Sequence, residues 1–367
     1  MRAAVCHEFG QPLTLQEVVL RDPGPGEVRV ALEAVAICHS DLGYLDGLWT
    51  SALPAVYGHE AAGRVSALGA GVQGLALGDP VVVTMIRACG QCRACRTGKP
   101  FLCGASHDRG NGVLSLPDGT VVEQGLATAA FAEACVVHAS QVAKVPEDLP
   151  MELGALLACG VITGTGAAIN TAQVRPGEAV VVIGAGGVGL NAIQGARVAG
   201  AGRIIAIDLS DDKLAAARDF GATDALRADM KGLRRAVLAL TEGQGADHVL
   251  VAVGAIAAYD QAASLACRGG QVVAVGMPAS GAKMQIEPVI LAATGQSLRG
   301  SFMGGTLVQR DIPALVALWR QGRLKLEELI TARYDFAEIN QAIADARAPH
   351  VRRNVVRIVG PGAASRP

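Results

Sequence analysis

Two groups of residues have types and spacings that could do chemistry. Cys89, Cys92, Cys95 and Cys103 fall in the pattern C-x2-C-x2-C-x7-C. Four thiolates this close can enclose one zinc ion tetrahedrally with no position left open, which makes a structural site rather than a reactive one. The residues between them, among them Arg93, Ala94, Thr97, Gly98 and Lys99, are polar or small, so the lobe has no core of its own and needs a staple. An iron–sulfur cluster also takes four cysteines. The second group, Gly184-Ala185-Gly186-Gly187-Val188-Gly189, fits G-x-G-x-x-G. Alone this match is weak, but here it follows an apolar run and opens a helical stretch. The first glycine then makes a tight turn. The second admits the pyrophosphate of a dinucleotide, whose charge sits at the helix N-terminus, and the third lets helix and strand pack closely. Asp208, nineteen residues beyond Gly189, ends the next strand. A carboxylate there accepts from ribose hydroxyls and repels a 2′-phosphate, which predicts NAD rather than NADP. With nicotinamide as the redox centre, zinc is the expected occupant of the four cysteines.

Elements must hold these groups. After about residue 160 the chain alternates strand and helix. The segments are Ala179–Ile183, a helix to Ala199, Arg203–Ile207, a helical Asp211–Phe220, Asp224–Leu226, a helical Leu233–Leu240, His248–Val253, a helical Ile256–Cys267 and Gln271–Val275. That alternation predicts an α/β fold with a Rossmann-type, doubly wound parallel sheet. The first 150 residues differ. Short β-branched runs, Val28–Val35, Gly63–Leu68 and Asp79–Thr84, are punctuated by clusters such as Asp22-Pro23-Gly24-Pro25-Gly26. These predict an antiparallel barrel or sandwich. Pro361–Pro367 reads as a loose tail.

The composition narrows the partners. With 51% hydrophobic residues, 367 residues support two domains with large cores. A formal net charge of −1 and 18% charged residues argue against nucleic acid or an anionic membrane surface as a partner. No run reaches the roughly 18 uninterrupted apolar residues of a membrane span. The N-terminal segment lacks the apolar core and cleavage site of a secretion signal. Nine cysteines, four of them crowded together, read as metal ligands and thiols rather than disulfides, and the expected location is cytoplasmic. Aromatics are only 3%, so a substrate pocket should be largely aliphatic.

Cys38, His59 and Cys159 are far apart, and singly each has an unremarkable reading as a buried small residue or a lone histidine. Their neighbourhoods carry more. They are Cys38-His39-Ser40-Asp41, then Gly58-His59-Glu60 followed by Ala61-Ala62-Gly63, and Cys159-Gly160-Val161-Ile162-Thr163-Gly164. With the four-cysteine lobe and the glycine loop, these segments resemble the zinc-containing alcohol dehydrogenases of the medium-chain dehydrogenase/reductase family. The likeness runs over nearly the whole chain, in the same order.

The resemblance implies a β-rich GroES-like catalytic domain over 1–160 with the structural-zinc lobe, an NAD-binding domain over 161–302, and a return to the catalytic domain over 303–367. It implies two zinc ions per chain, the catalytic one on Cys38, His59 and Cys159 with a fourth position open. Glu60 lies beside that metal and enters its coordination during ligand exchange, and Asp41 orients His59 through its other ring nitrogen. Lys213 falls near the adenosine ribose, and His39 and Arg353 at the pyrophosphate. Thr163 and Val188 press on the nicotinamide, and Val275 belongs to the same cofactor wall. The implied reaction is oxidation of a small-molecule alcohol to an aldehyde or ketone with hydride transfer to NAD. Ser40, two residues from Cys38, is the first proton acceptor. Many relatives have a histidine where this chain has Gly43, so the proton is expected to pass to water entering where a side chain would sit.

Trp49 and Met85 line the pocket by family position and favour medium-sized or aryl alcohols. A polyol dehydrogenase is an alternative that Cys159 argues against, since those enzymes tend to have glutamate there. A thiol-dependent formaldehyde dehydrogenase is another, with His107 or Arg109 as its candidate thiol-binding residue. A non-catalytic zinc- and nucleotide-binding protein is the alternative outside enzymes. By analogy the assembly is a homodimer built by extending the nucleotide-binding sheets, with a tetramer as the alternative.

Overall fold

A computed structural model describes residues 1–105 and 112–358. His107, Arg109 and the tail Pro361–Pro367 lie outside the described residues. The chain divides into two compact units, 1–159 with 307–322 and 326–367, and 160–306 with 323–325. The second passage between them thus lies after Thr306 rather than at 302/303. Residues 303–306 stay with the second unit because they pack on its helix Ile162–Gly166. Thr306 Oγ1 donates to the Ile162 carbonyl at 3.3 Å, and a Cβ on Gly166 would meet the Gly304 carbonyl oxygen at 2.3 Å.

The first unit is built on two sheets. One has the path Val142–Lys144, Pro80–Val83, Glu60–Leu68, Glu27–Ala36, Arg353–Arg357, Ile330–Asp335, with Ala134–His138 also paired to Glu27–Ala36. Its pairings are antiparallel except that between the last two strands of the path. The other sheet has six short strands drawn from 2–6, 14–17, 19–20, 55–56, 114–115 and 121–124. A continuous core of Val, Ala, Leu and Ile fills this unit, with Tyr57 and Phe131 its largest fully buried side chains. The long strand Glu27–Ala36 alternates exposed and buried positions through most of its length, as a strand with one face on the core must.

The second unit is a six-stranded parallel sheet in the spatial order Asp224–Arg227, Arg203–Asp208, Ala179–Ile183, Ala246–Val251, Ala266–Ala274, Ser297–Gly300. Counted along the chain this is 3-2-1-4-5-6, the doubly wound arrangement, whose ligand crevice lies at the carboxyl ends of the strands beside the first. Ala179–Ile183 is central and its last four residues are buried, which is why it reads as an unbroken apolar run. Two readings shift. The strand expected over His248–Val253 runs Ala246–Val251, and the helix expected to Cys267 ends at Leu265, where the next strand begins.

One helical run, Met151–Ala172, is long and apolar enough by composition to cross a membrane, but 89% of its most apolar window is buried inside the protein. Glu152 and the threonines interrupt it, which is why no uninterrupted apolar run shows in the sequence.

Candidate active site

The sheet register of the first unit assembles the first cluster. Ala36 pairs with Glu60 on one side and Val355 on the other, and the Ile37 N–H donates to the Asn354 carbonyl at 3.0 Å. Cys38, His59, Glu60 and Arg353 therefore emerge at one end of three adjacent strands. Cys38 caps the helix His39–Leu45. Asp41, three residues into that helix, reaches back to accept the Cys38 N–H at 3.0 Å, in the manner of a capping box. Its other oxygen accepts the Gly58 N–H at 3.1 Å and the His59 Nδ1–H at 3.1 Å. One fully buried carboxylate thus ties together the two loops that carry Cys38 and His59. Gly58 is required at the second loop. Its φ is +89°, and a Cβ there would lie 2.5 Å from the Phe131 ring.

Cys159 arrives from above. It sits in a π-helical stretch, Leu157–Val161, of the long helix, which approaches the sheet so closely that a Cβ on Gly154 would be 3.0 Å from that of Ala62. Single π turns recur at functional positions because they re-aim a side chain without breaking the helix.

Cys38, His59, Glu60 and Cys159 then offer ligand atoms all within 4.8 Å of one another, every one of them buried. Asp41 engages His59 Nδ1, so Nε2 is the ring nitrogen that faces the cluster, where a neutral ring would offer a lone pair. That buried atom has no hydrogen-bond partner among the described residues, and neither has either carboxylate oxygen of Glu60. The pocket favours positive charge. Burial opposes an imidazolium at His59, but the Asp41 carboxylate and the Cys38 sulfur outweigh it and raise the pKa well above the usual value. A hydrogen bond from Cys159 foremost, with His59 and Arg353 adding, holds Cys38 well below the usual thiol range. Glu60 is pushed up to about 8 by burial, although the Arg353 guanidinium opposes the rise from 3.7 Å. Two sulfurs, an imidazole nitrogen and a carboxylate without hydrogen bonds in a buried pocket fit a zinc ion, which sulfur, nitrogen and oxygen all ligate.

The second cluster is local. Cys89, Cys92, Cys95 and Cys103 also place their sulfurs within 4.8 Å of one another, half-buried. Cys92 Sγ and Cys103 Sγ are 3.8 Å apart. Zinc–sulfur bonds of about 2.3 Å in a tetrahedron require sulfur–sulfur edges of about 3.8 Å, so this spacing fits zinc and excludes a disulfide. Backbone N–H groups aim at the sulfurs. Those of Cys89 and Cys92 donate to Cys103 and Cys89, each at 3.3 Å. That of Cys95, more than any other group, brings Cys92 down to about 6. No disulfide joins any of the nine cysteines.

In the second unit the strand Ala179–Ile183 leads through Gly184, at φ +92°, into the helix Gly187–Val198, capped by Gly186. A Cβ on Gly189 would sit 1.8 Å from the Gly184 carbonyl oxygen, so the helix can approach its strand only with glycine there. Nothing lies within 4 Å of the place a Cβ on Gly186 would occupy, which leaves the loop face open for a phosphate. Asp208 stands at the end of the adjacent strand. Its Oδ2 accepts the Ala185 N–H of the loop at 2.8 Å, and its Oδ1 accepts the Ser210 N–H at 3.0 Å.

Comparisons with known proteins give the same reading. Residues 24–147 match the alcohol dehydrogenase GroES-like domain, and residues 187–321 match the zinc-binding dehydrogenase domain. A Mycobacterium tuberculosis chain provisionally named alcohol dehydrogenase D is 38% identical, with 96% of this chain and 98% of that one covered. The chain belongs to the zinc-type alcohol dehydrogenases of the medium-chain family. Two solved structures superpose on this family member over 98% of its length and 99% of theirs. They are an alcohol dehydrogenase zinc-binding domain protein from Burkholderia ambifaria, 35% identical with a TM-score of 0.93, and benzyl alcohol dehydrogenase from Acinetobacter calcoaceticus, 32% identical with a TM-score of 0.92.

Within this dehydrogenase the remaining expected residues fall as follows. Ser40 and His39 open the helix after Cys38, Ser40 half-buried and His39 exposed. Thr163 and Val188 come from neighbouring helices, since a Cβ on Gly164 would meet the Val188 carbonyl oxygen at 2.3 Å. Val275 follows the strand Ala266–Ala274, its N–H on the Val251 carbonyl at 3.0 Å. Lys213 lies in the first turn of the helix Asp211–Asp219. Arg353, expected at a pyrophosphate, has its guanidinium buried beside Glu60. The sequence reasoning missed that pair. A carboxylate next to a buried histidine was the available signal, since it must find a counter-charge.

One expectation is overturned. The space beside Gly43 is not open to water. A Cβ there would touch the Trp49 indole at 2.9 Å, with two more ring atoms at 3.2 Å. Trp49 is held by an edge-on contact to Tyr44, with ring centroids 5.2 Å apart, and Tyr44 stacks on the buried Tyr57 at 5.6 Å.

Proposed function

We propose that this dehydrogenase oxidises a medium-sized or aryl alcohol to its aldehyde or ketone with NAD. The observation that carries the reading is the buried cluster of Cys38, His59, Glu60 and Cys159, whose orphaned His59 Nε2 faces two sulfurs. Zinc held by Cys38, His59 and Cys159 would act as a Lewis acid on the substrate hydroxyl, and NAD would accept the hydride. The chain's own groups do the rest. Asp41 fixes the tautomer and direction of His59 and the start of the helix that carries Ser40. Arg353 offsets the charge of Glu60. Ser40 is the group nearest in sequence to Cys38 that can take a hydroxyl proton. Trp49 closes the route past residue 43, so that proton leaves by another path. The dry, buried setting strengthens each of these electrostatic effects.

NAD is supported by the open face at Gly186 and by Asp208, whose two oxygens are pinned by backbone N–H groups. Asp208→Ser should narrow the preference for NAD over NADP by about 1–3 kcal/mol, the size of a hydrogen bond to a charged group. Trp49, Tyr44 and Met85 and the likeness to a benzyl alcohol dehydrogenase support an aryl substrate. Measuring NADH formation across aliphatic, benzylic and polyol substrates, and formaldehyde with thiol, tests the reading. Turnover highest with benzylic alcohols is expected, and none with any of them would refute it.

The strand Ser297–Gly300 is paired on one side only and exposed, with Leu298, Val289 and Ile290 exposed around it. These features support a homodimer formed by sheet extension. Sedimentation of the purified enzyme should give twice the chain mass. Nine cysteines free of disulfides, four of them at a metal-binding spacing, support a cytoplasmic location.

A further inference from the structure

A second charged group stands beside the nucleotide loop and takes no part in the account so far. In the parallel register Arg227 is the direct neighbour of Asp208, so both side chains leave the same edge of the sheet. The guanidinium is already engaged. Nε and Nη2 donate to the two carboxylate oxygens of Asp229, each at 2.9 Å, and Nη1 donates to Asp211 Oδ1 at 3.0 Å. Asp211 opens the helix whose cap, Ser210, follows Asp208 by two residues. The cation therefore lies within one helical turn of the ribose acceptor.

Resting on the NAD reading above, we infer that Arg227 is a latent receptor for a 2′-phosphate, and that its capture by Asp229 and Asp211 is the second determinant of cofactor choice after Asp208. The 2′-phosphate of NADP hangs from the ribose that Asp208 serves. It needs a cation there, best a guanidinium fork that can bind two of its oxygens at once. In this chain that fork is filled by Asp229. Asp208 cannot swing aside, because Ala185 and Ser210 hold both its oxygens. Two carboxylates thus hold one guanidinium, and a further anion meets net negative charge. Lys213, in the same first turn, is the rival cation.

The test is equilibrium titration of the zinc-loaded enzyme with NAD and with NADP, followed by calorimetry. The variants are Asp208→Ser, Asp208→Ser with Asp229→Asn, and that double variant with either Arg227→Ala or Lys213→Ala. Asp229 and Arg227 are 54% and 42% exposed, so these changes leave the core untouched, and Asp229→Ser is a second form of the same probe. Asp208→Ser should tighten NADP about tenfold, and Asp229→Asn about tenfold more, a gain that shrinks at high salt. Arg227→Ala should erase the second gain and change NAD affinity by less than about twofold. A second gain that survives Arg227→Ala, or that is lost in Lys213→Ala instead, overturns the inference while leaving the NAD reading intact. A parent enzyme that binds neither cofactor overturns both.

Discussion

The two candidate metal clusters use the same donor chemistry in opposite ways. Cys89, Cys92, Cys95 and Cys103 come from fifteen consecutive residues, are half-buried, and close on themselves. Cys38, His59, Glu60 and Cys159 come from the ends of two strands and a helix, are buried, and leave His59 Nε2 and both Glu60 oxygens without a hydrogen bond among the described residues. The first cluster substitutes for a core that its polar lobe cannot build. The second is imposed by a core already built, because sheet register and a π turn bring its members together. A closed local site should answer to stability, and an open assembled site to turnover.

The sharpest way to break this contrast is Cys159→Ser. It should abolish turnover and remove one zinc per chain, while the unfolding midpoint changes little. Normal activity in this variant would reverse the assignment. Cys95→Ser should behave the other way. It leaves an incomplete tetrahedron in a lobe without a core, and should lower stability by on the order of 3 kcal/mol or more, read from urea unfolding. If Cys95→Ser unfolds at the parent midpoint, the lobe does not depend on its metal.

Gly43→His probes the space beside the assembled site. A base placed there would be expected to speed proton loss only if room existed. Because the Trp49 ring fills the place of the new Cβ, the substitution should instead overpack the site at a cost of about 1–3 kcal/mol, and Trp49→Ala in the same chain should recover part of it. A stable Gly43→His single variant with faster turnover below neutral pH would show that the indole moves aside.

The smallest effect should come from Glu152, at the start of the helix that delivers Cys159. Burial opposes its ionisation, but hydrogen bonds from Arg333, at 2.6 Å, and from Arg357 outweigh this and hold its carboxyl below the usual range. Both arginines are nearly half exposed, so the network contributes about 1 kcal/mol at most. The folded pKa lies below the unfolded one. The contribution is therefore complete above the unfolded value of about 4.3 and is lost as pH falls through the folded value. Glu152→Gln should lower the unfolding midpoint slightly at neutral pH, converge with the parent in acid, and leave both zinc ions in place.

Legibility in the sequence followed the same divide. The four-cysteine lobe and the glycine loop are short-range patterns, legible from their spacing and, for the loop, from the apolar run and helical stretch that flank it. The doubly wound parallel sheet was implied by the alternation of strand and helix, and an apolar run such as Ala179–Ile183 is what a strand buried on both faces requires. The assembled site was legible only through family resemblance, because nothing in the spacing of Cys38, His59 and Cys159 says that they meet. For Glu60 the sequence showed only that a counter-charge was needed, not that Arg353 supplies it, and the Trp49 indole over Gly43 was not legible. Both depend on which strands pair and how aromatic rings pack, and a single sequence does not display either.

The place of Arg353 also sets a timetable. The strand Arg353–Arg357 slots between Glu27–Ala36 and Ile330–Asp335, and it is the last strand of the described chain. As the polypeptide leaves the ribosome, the four cysteines of the local cluster are all available once residue 103 has emerged. Glu60 waits a further 250 residues, to Arg353, for its counter-charge. During that interval the local cluster can assemble while the pocket around Glu60 still lacks Arg353, so that pocket is finished only after the strand Arg353–Arg357 has been made.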